Sequence, residues 1–92
     1  MLEKEIVITN ALGLHVRAAT KLVQVATLFD MEVSITCDGK TADAKSIMEV
    51  LMLAAIVGTH VTLRVSGEDE ENEEKAIERL SALFENRFDE ER

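Results

Sequence analysis

The spacing of hydrophobic residues changes repeatedly along this 92-residue chain, and the order of the changes restricts the fold. Alternation with a period of two predicts strands, and a period near 3.6 predicts helices. The strand patterns occupy residues 2–9, 33–37 and 60–65, and the helical patterns occupy residues 16–29, 47–57 and 68–84. Asp38-Gly39 is a strong hairpin signal, which adds a strand returning over residues 40–43. The predicted element order is therefore β-α-β-β-α-β-α.

This order predicts an α+β fold with two layers, an open-faced sandwich. A helical crossover joins the first two strands, so they should run in the same direction. Placing the fourth strand between them makes every neighbouring pair antiparallel. We therefore expect a four-stranded antiparallel sheet in the order 1-4-2-3, covered on one face by three helices. Residues 1–92 are predicted to form a single domain, with a charged C-terminal tail at about 87–92.

Charge and composition exclude several classes of function. The formal net charge is −8, which disfavours nucleic acid and anionic membranes as partners, because both require a basic footprint. The longest apolar run, residues 47–57, is broken by Glu49 and is too short to span a bilayer. The acidic start of the chain shows no signal-peptide pattern, and a single cysteine excludes an internal disulfide. We therefore expect a cytoplasmic protein without membrane insertion.

The segment Gly13-Leu14-His15-Val16-Arg17 is the most indicative of function, because it lies where a strand pattern gives way to a helix. A histidine there lies beside the free N–H groups of a helix N-terminus, which stabilise an anion. Neutral imidazole is also a nucleophile, and Arg17 can donate charge-assisted hydrogen bonds to a phosphoryl oxygen. The pattern suggests a phosphate formed and held on His15. Taken alone, His15 also fits a plain helix cap, and Arg17 an ordinary exposed arginine.

We assign structural rather than catalytic roles to the other polar residues. Ser46 is a plausible N-cap of the second helix, Cys37 a buried thiol and His60 an exposed strand residue. The acidic run 68–74 suits a helix start and lacks the spacing of a calcium loop. No carboxylate or second metal ligand lies near His15 in sequence, so we predict neither a catalytic triad nor a zinc site. No metal or cofactor is predicted.

The second predicted helix is apolar nearly all round, although a two-layer domain covers only one of its faces. One face carries Val50, Leu53, Ala54 and Val57, and the other carries Ile47, Met48, Leu51, Met52 and Ala55. We expect one face to be exposed, and an exposed apolar patch usually marks a binding surface. The alternatives are a dimer contact or burial under the loop at residues 10–14.

Two motifs, Gly13-Leu14-His15-x-Arg17-x-Ala19 and Lys45-Ser46-Ile47-Met48, resemble those of the HPr family of histidine phosphocarriers. The resemblance extends from Ile6-Val7-Ile8-Thr9-Asn10 to Leu83-Phe84, with the same element order. It implies a component of the bacterial phosphoenolpyruvate-dependent phosphotransferase system rather than a stand-alone enzyme. His15 would accept a phosphoryl group on Nδ1 from enzyme I and pass it to an EIIA-type domain, while Arg17 steadies that group.

The resemblance also implies a partner surface and a regulatory site. Enzyme I and EIIA-type domains would dock on a monomer through Thr20, Lys21, Gln24, Ile47, Met48, Leu51 and Met52. Ser46 matches a serine that an ATP-dependent HPr kinase/phosphorylase modifies in some bacteria. Three stretches are similar to NPr, the carrier of the nitrogen-related branch: Leu22-Val23 with Leu28-Phe29-Asp30, Leu51-Met52-Leu53, and Phe88-Asp89-Glu90. Lys45-Ser46-Ile47-Met48 is similar to sugar-branch carriers instead, so the sequence does not choose between sugar uptake and regulation.

One position departs from the family pattern, which usually has proline after the arginine. Here that residue is Ala18, which forms a helix equally well but gives up a rigid backbone position that cannot donate a hydrogen bond. A second interpretation therefore stays open, namely a regulatory binding module of the same fold that docks partners without phosphotransfer. His15 argues against that interpretation, whereas Ala18 and the acidity of the chain are compatible with it.

Overall fold

The structure, a computed structural model, describes residues 1–91 and contains the predicted elements in the predicted order. Strands β1 to β4 span Leu2–Val7, Glu32–Cys37, Lys40–Asp43 and His60–Ser66. Helices α1 to α3 span Val16–Ala26, Ile47–Met52 and Glu70–Glu85, and a 3₁₀ turn follows at Arg87–Asp89. None of the helices in residues 1–91 is long and apolar enough to cross a membrane.

The strands pair in the order β1-β4-β2-β3, and each pair is antiparallel, which confirms the predicted topology. The register places Ile6 opposite Val61 and Ile35 opposite Leu63, so the apolar residues of neighbouring strands share one face. The other face is polar, and Arg64 of β4 binds the carboxylate of Glu3 at 2.7 Å across it. Strands β1 and β3 form the two edges of the sheet.

Helices α1 and α3 bury a side chain about every fourth residue against the apolar face of the sheet. The sequence pattern predicts that Ala76, Leu80 and Phe84 share the apolar face of α3, and all three are buried. The structure also buries Glu73, whose Oε2 accepts a hydrogen bond from the Gly67 N–H at 2.8 Å. This bond, with the Met1 amino group 2.9 Å from Oε2, holds the pKa of Glu73 below its usual 4.5.

Two predicted helix ends are wrong. Helix α1 ends at Ala26 rather than residue 29, and α2 ends at Met52 rather than just before Gly58. After Met52 the backbone hydrogen bonds join residues three apart instead of four apart. Ala54 then takes a left-handed conformation with φ of 51°. The physical reason for the early end of α2 is tertiary, because the chain turns so that the Ala55 carbonyl accepts the Leu14 N–H at 3.0 Å.

The helical spacing of the sequence predicts one apolar face of α1, and Ala19, Leu22 and Ala26 of that face are buried as predicted. The same spacing places Val16 on this face, but Val16 is 64% exposed, whereas Ala18, which the spacing leaves off the face, is completely buried. The pairing of Leu14 with residue 55 fixes where the helix begins and therefore which of its residues face the sheet. The helix still starts at Val16 with alanine at position 18, as expected for a good helix former in the first turn.

The loop before α1 approaches the segment after α2 closely at Gly13. Its φ of 64° lies in the left-handed region, and a Cβ built there would lie 2.4 Å from the Ala55 carbonyl oxygen. Glycine therefore satisfies both requirements, the backbone conformation and the absence of a side chain. This contact sets the position of His15, two residues further on.

We expect Gly13→Ala to destabilise the fold much more than Gly39→Ala. Both glycines have positive φ, so both substitutions incur a penalty of about 1–2 kcal/mol for a left-handed alanine. Only at Gly13 would the new Cβ also collide with backbone, since nothing lies within 4 Å of a Cβ at Gly39. Urea unfolding of the two variants measures the difference. Equal losses of unfolding free energy would contradict the importance of the close approach.

Candidate functional site

His15 occupies the N-cap position of α1 but does not act as a capping side chain. Its backbone is extended, with φ of −78° and ψ of −179°, and its ring makes no hydrogen bond to the helix N–H groups. The first N–H groups of a helix lack partners within the helix, so this end of α1 presents donors next to the ring. The ring is 28% exposed and therefore accessible from solvent. The structure thus contradicts the plain capping interpretation.

The ring of His15 is paired with a carboxylate that the sequence did not indicate. Its Nε2 lies 2.6 Å from Oε2 of Glu90, a residue 75 positions away in the chain. A carboxylate only accepts hydrogen bonds, so Nε2 carries a proton. In the neutral ring the lone pair then resides on Nδ1, which is the nitrogen able to act as a nucleophile.

Glu90 is itself held firmly. Its Oε1 accepts a hydrogen bond from Asn10 Nδ2 at 3.2 Å, and the same amide nitrogen donates to the Gly13 carbonyl at 2.8 Å. Burial raises the pKa of Glu90, but the hydrogen bonds from His15 and Asn10 outweigh it together with the positive charges of His15 and Arg17, so the pKa lies below its usual 4.5. Glu90 is therefore a carboxylate at neutral pH.

Phe88 explains why a residue near the chain end reaches His15. Its ring is fully buried against Phe84 in an edge-to-face arrangement, with 4.9 Å between ring centroids. The residues from Arg87 to Asp89 all have positive φ, between 53° and 63°, which turns the chain back towards α1. Lys21 donates to the Phe88 carbonyl at 2.7 Å and adds a second anchor.

Residues 87–91 of the segment predicted as a charged tail thus pack on the domain through the Phe88 ring and the Glu90 carboxylate, and Arg92 lies outside the described residues. Three successive left-handed residues cost about 1–2 kcal/mol each, so the surrounding contacts must impose this backbone. An apolar Phe88 among charged residues was the one sequence signal that could have indicated the packing. No local pattern predicts the hydrogen bond that Glu90 makes.

The predicted partner residues fall into an apolar group and a polar group. Met48 and Met52 are 70% and 72% exposed, Ile47 is also exposed, and Leu51 is half-buried. Val16 adds to this apolar surface, because α1 packs against α2 and Val16 adjoins His15. The residues Val16, Ile47, Met48, Leu51 and Met52 are hereafter called the apolar surface.

The polar group lies on α1. Gln24 is exposed and Thr20 half-buried, with the Thr20 hydroxyl donating to the Val16 carbonyl at 2.7 Å. The ammonium group of Lys21 already has partners within the chain, since it donates to the Phe88 carbonyl and also lies 3.5 Å from a carboxylate oxygen of Asp89. Arg17 is exposed at the same helix end as His15, as predicted, and its charge acts on Glu90.

Ser46 begins α2 as the predicted N-cap. Its Oγ accepts the Glu49 N–H at 3.2 Å, and its backbone is extended. The Glu49 carboxylate in turn accepts the Asp43 N–H at 3.0 Å, which ties the end of β3 to the helix start. Ser46 is therefore structural in this state, and its neighbours Ile47 and Met48 belong to the apolar surface.

The remaining candidate residues do not join the site. Cys37 is a buried thiol whose pKa is raised by burial and by the neighbouring Asp38, and His60 is exposed, both as predicted. His60 lies 3.3 Å from the carboxylate of Glu5 on the open side of the sheet. Within residues 1–91, no group of three or more His, Cys, Asp or Glu side chains is arranged to hold a metal ion.

Comparisons with known proteins match this chain over most of its length. A family model described as "PTS HPr component phosphorylation site" matches residues 2–86. Phosphocarrier protein HPr of Xylella fastidiosa (strain 9a5c) is 49% identical over 98% of this chain and 98% of that protein. Phosphocarrier protein NPr of Shewanella violacea is 42% identical over 97% of this chain and 94% of that protein.

Solved structures of HPr proteins have the same fold as this chain. The crystal structure of HPr-C-His from Thermoanaerobacter tengcongensis is 40% identical, with a TM-score of 0.92 and complete coverage of both chains. A crystal structure of an HPr dimer from the same organism is also 40% identical, with a TM-score of 0.75 over 98% of this chain and 100% of that one.

We expect Ser46→Ala to lower the free energy of unfolding by about 1 kcal/mol, because the Glu49 N–H loses its acceptor. Ser46→Asp keeps an acceptor at the N-cap and should remain within a few tenths of a kcal/mol of the parent protein. Urea unfolding of both variants gives the comparison. A loss of equal size in the two variants would show that the capping bond is not what Ser46 contributes.

Proposed function

The chain belongs to the HPr family of phosphocarrier proteins of the phosphotransferase system, and we propose that His15 is the residue that carries the phosphoryl group. The observation that supports this assignment is the hydrogen bond from Nε2 to Glu90, which leaves the lone pair on Nδ1. The free N–H groups at the start of α1 and the Arg17 guanidinium lie at the same helix end. A nucleophile and the donors for an anion are therefore in one place.

The transfer is a displacement at phosphorus. The Nδ1 lone pair attacks the phosphoryl group on enzyme I, a bond from nitrogen to phosphorus forms, and the bond to the donor atom of enzyme I breaks with its electron pair remaining on that atom. Arg17 and the helix N–H groups stabilise the negative oxygens of the moving group. A second displacement passes the group from His15 to an EIIA-type domain.

The apolar surface is the proposed docking area for both partners. Direct transfer requires that the phosphoryl group of the partner reach His15, so the partner must cover the area around it. Val16, Met48 and Met52 lie in this area, and methionine side chains adapt to more than one partner. Thr20, Lys21 and Gln24 provide the polar side of the same area. We propose a monomer in the cytoplasm, since one copy presents the whole area and Cys37 is a free thiol.

Ser46 is a proposed regulatory position in this scheme. A phosphoryl group there would add a charge of about −1.5 to −2 directly beside Ile47 and Met48. It would remain compatible with the start of α2, where negative charge is favourable. Phosphorylation by an HPr kinase/phosphorylase would therefore act by repelling partners rather than by unfolding the helix. The alternative of a binding module without phosphotransfer is not favoured by the family match.

We expect the protein to acquire acid-labile phosphate when it is mixed with phosphoenolpyruvate and enzyme I. His15→Ala should abolish this phosphate, because it removes the nucleophile. His60→Ala is the matched control and should retain it, since His60 lies on the open side of the sheet, the face opposite the helices. Phosphate analysis of the separated proteins measures the result. The assignment fails if the parent protein takes up none, or if His15→Ala takes up as much as the parent.

We expect Met48→Glu to weaken binding of enzyme I about tenfold or more, because it places a charge within a surface that must lose water on docking. Leu28→Glu is the control, since Leu28 is also an exposed apolar residue but lies beyond the opposite end of α1. Titration calorimetry with enzyme I gives both affinities. An unchanged affinity for Met48→Glu would remove the apolar surface from the proposal.

A further inference from the structure

The carboxylate of Glu90 is placed to control the chemistry of His15 rather than to fill space. Its side chain is only 12% exposed, and each of its two oxygens accepts a hydrogen bond, one from Asn10 and one from His15. Because both oxygens are held, the carboxylate cannot rotate away without losing a bond. The buried ring of Phe88 fixes the backbone from which Glu90 extends.

We propose that Glu90 is a positioning residue for phosphoryl transfer, which keeps the proton of His15 on Nε2 and balances the charge that the ring gains when Nδ1 is phosphorylated. The inference rests on the proposed role of His15. A free imidazole places its proton on either nitrogen, and only the form with the proton on Nε2 has its lone pair on Nδ1. An acceptor fixed at Nε2 selects that form.

Charge balance gives Glu90 its second role. When the neutral ring attacks phosphorus through Nδ1, Nε2 keeps its proton, so the ring becomes an imidazolium ion carrying the phosphoryl group. This positive charge develops 2.6 Å from the nearer Glu90 oxygen, in a partly buried position where the attraction is strong. When the group leaves for the next acceptor, the electron pair returns to Nδ1 and the ring is again neutral. Neither step needs a proton from solvent.

The charges around the His15 ring can accommodate two anions, the Glu90 carboxylate at Nε2 and the phosphoryl group at Nδ1. Arg17 is positive and acts on Glu90, so it offsets the repulsion between the Glu90 carboxylate and an arriving phosphoryl group. Lys21 and Asp89, which lie 3.5 Å apart, form the other charged pair of this segment. Asn10 adds a neutral donor on the far side of the carboxylate.

The test compares Glu90→Gln with Glu91→Gln, which removes the same charge from the exposed neighbouring residue. A glutamine amide can donate to Nε2 as well as accept from it, so Glu90→Gln should lose the preference for one form of the neutral ring. Nitrogen chemical shifts of the His15 ring report this directly. We expect one dominant form in the parent protein and in Glu91→Gln, and a mixture in Glu90→Gln.

The rate of phosphoryl uptake from enzyme I is measured on the same samples after unfolding curves establish that each is folded. We expect Glu90→Gln to be about tenfold slower or more, as for loss of a hydrogen bond to a charged group, and Glu91→Gln to match the parent. An unchanged ring form and rate in Glu90→Gln would overturn the inference. Equal slowing in both variants would also overturn it, because the effect would then come from net charge on docking.

The two proposals fail in different ways. Absence of phosphate on the parent protein would overturn the role of His15, and the transfer role of Glu90 with it. A parent protein that is phosphorylated on His15, with a Glu90→Gln variant that behaves identically, would overturn only the role of Glu90. The ring measurement needs no phosphoryl donor, so it distinguishes these results even when enzyme I is inactive.

Discussion

The whole molecule depends on a sheet that is covered on one face only. Each strand must direct its apolar residues to the same side, and the register that aligns Ile6, Ile35 and Leu63 achieves this. Helices α1 and α3 supply most of the cover, so α2 is left at the margin with Val50 and Leu53 buried and its methionines exposed. The apolar surface beside His15 is thus a consequence of having more apolar helix than one sheet face can cover.

Most of the fold could be predicted from the sequence because the relevant signals are local. Alternation identified the strands, Asp38-Gly39 identified the hairpin, and the strand directions imposed by the helical crossover led to the strand order. The ends of α1 and α2 could not be predicted in this way. The end of α2 depends on the bond between Leu14 and Ala55, two residues far apart in sequence, which overrides the apolar periodicity between residues 53 and 57.

The same distinction divides the candidate site. His15 and Arg17 were predictable, because a histidine and an arginine at a helix start are recognisable from neighbouring residues alone. Glu90 was not, since its position depends on burial of the Phe88 ring and on three successive left-handed residues. A run of acidic residues after the last helix is ordinarily interpreted as solvated. Only the aromatic residue within the run distinguishes this segment from such a tail.

The edges of the sheet bear on how such a protein behaves in a concentrated solution. Exposed edge strands are templates on which another chain can add a strand and start an aggregate. Here β3 has only four residues, and β1 carries three consecutive charged residues, Glu3, Lys4 and Glu5. Lys4 is also bonded to α3 through the Ser81 hydroxyl. A chain that exposes apolar methionines on α2 therefore still offers poor edges for adding strands from its own copies.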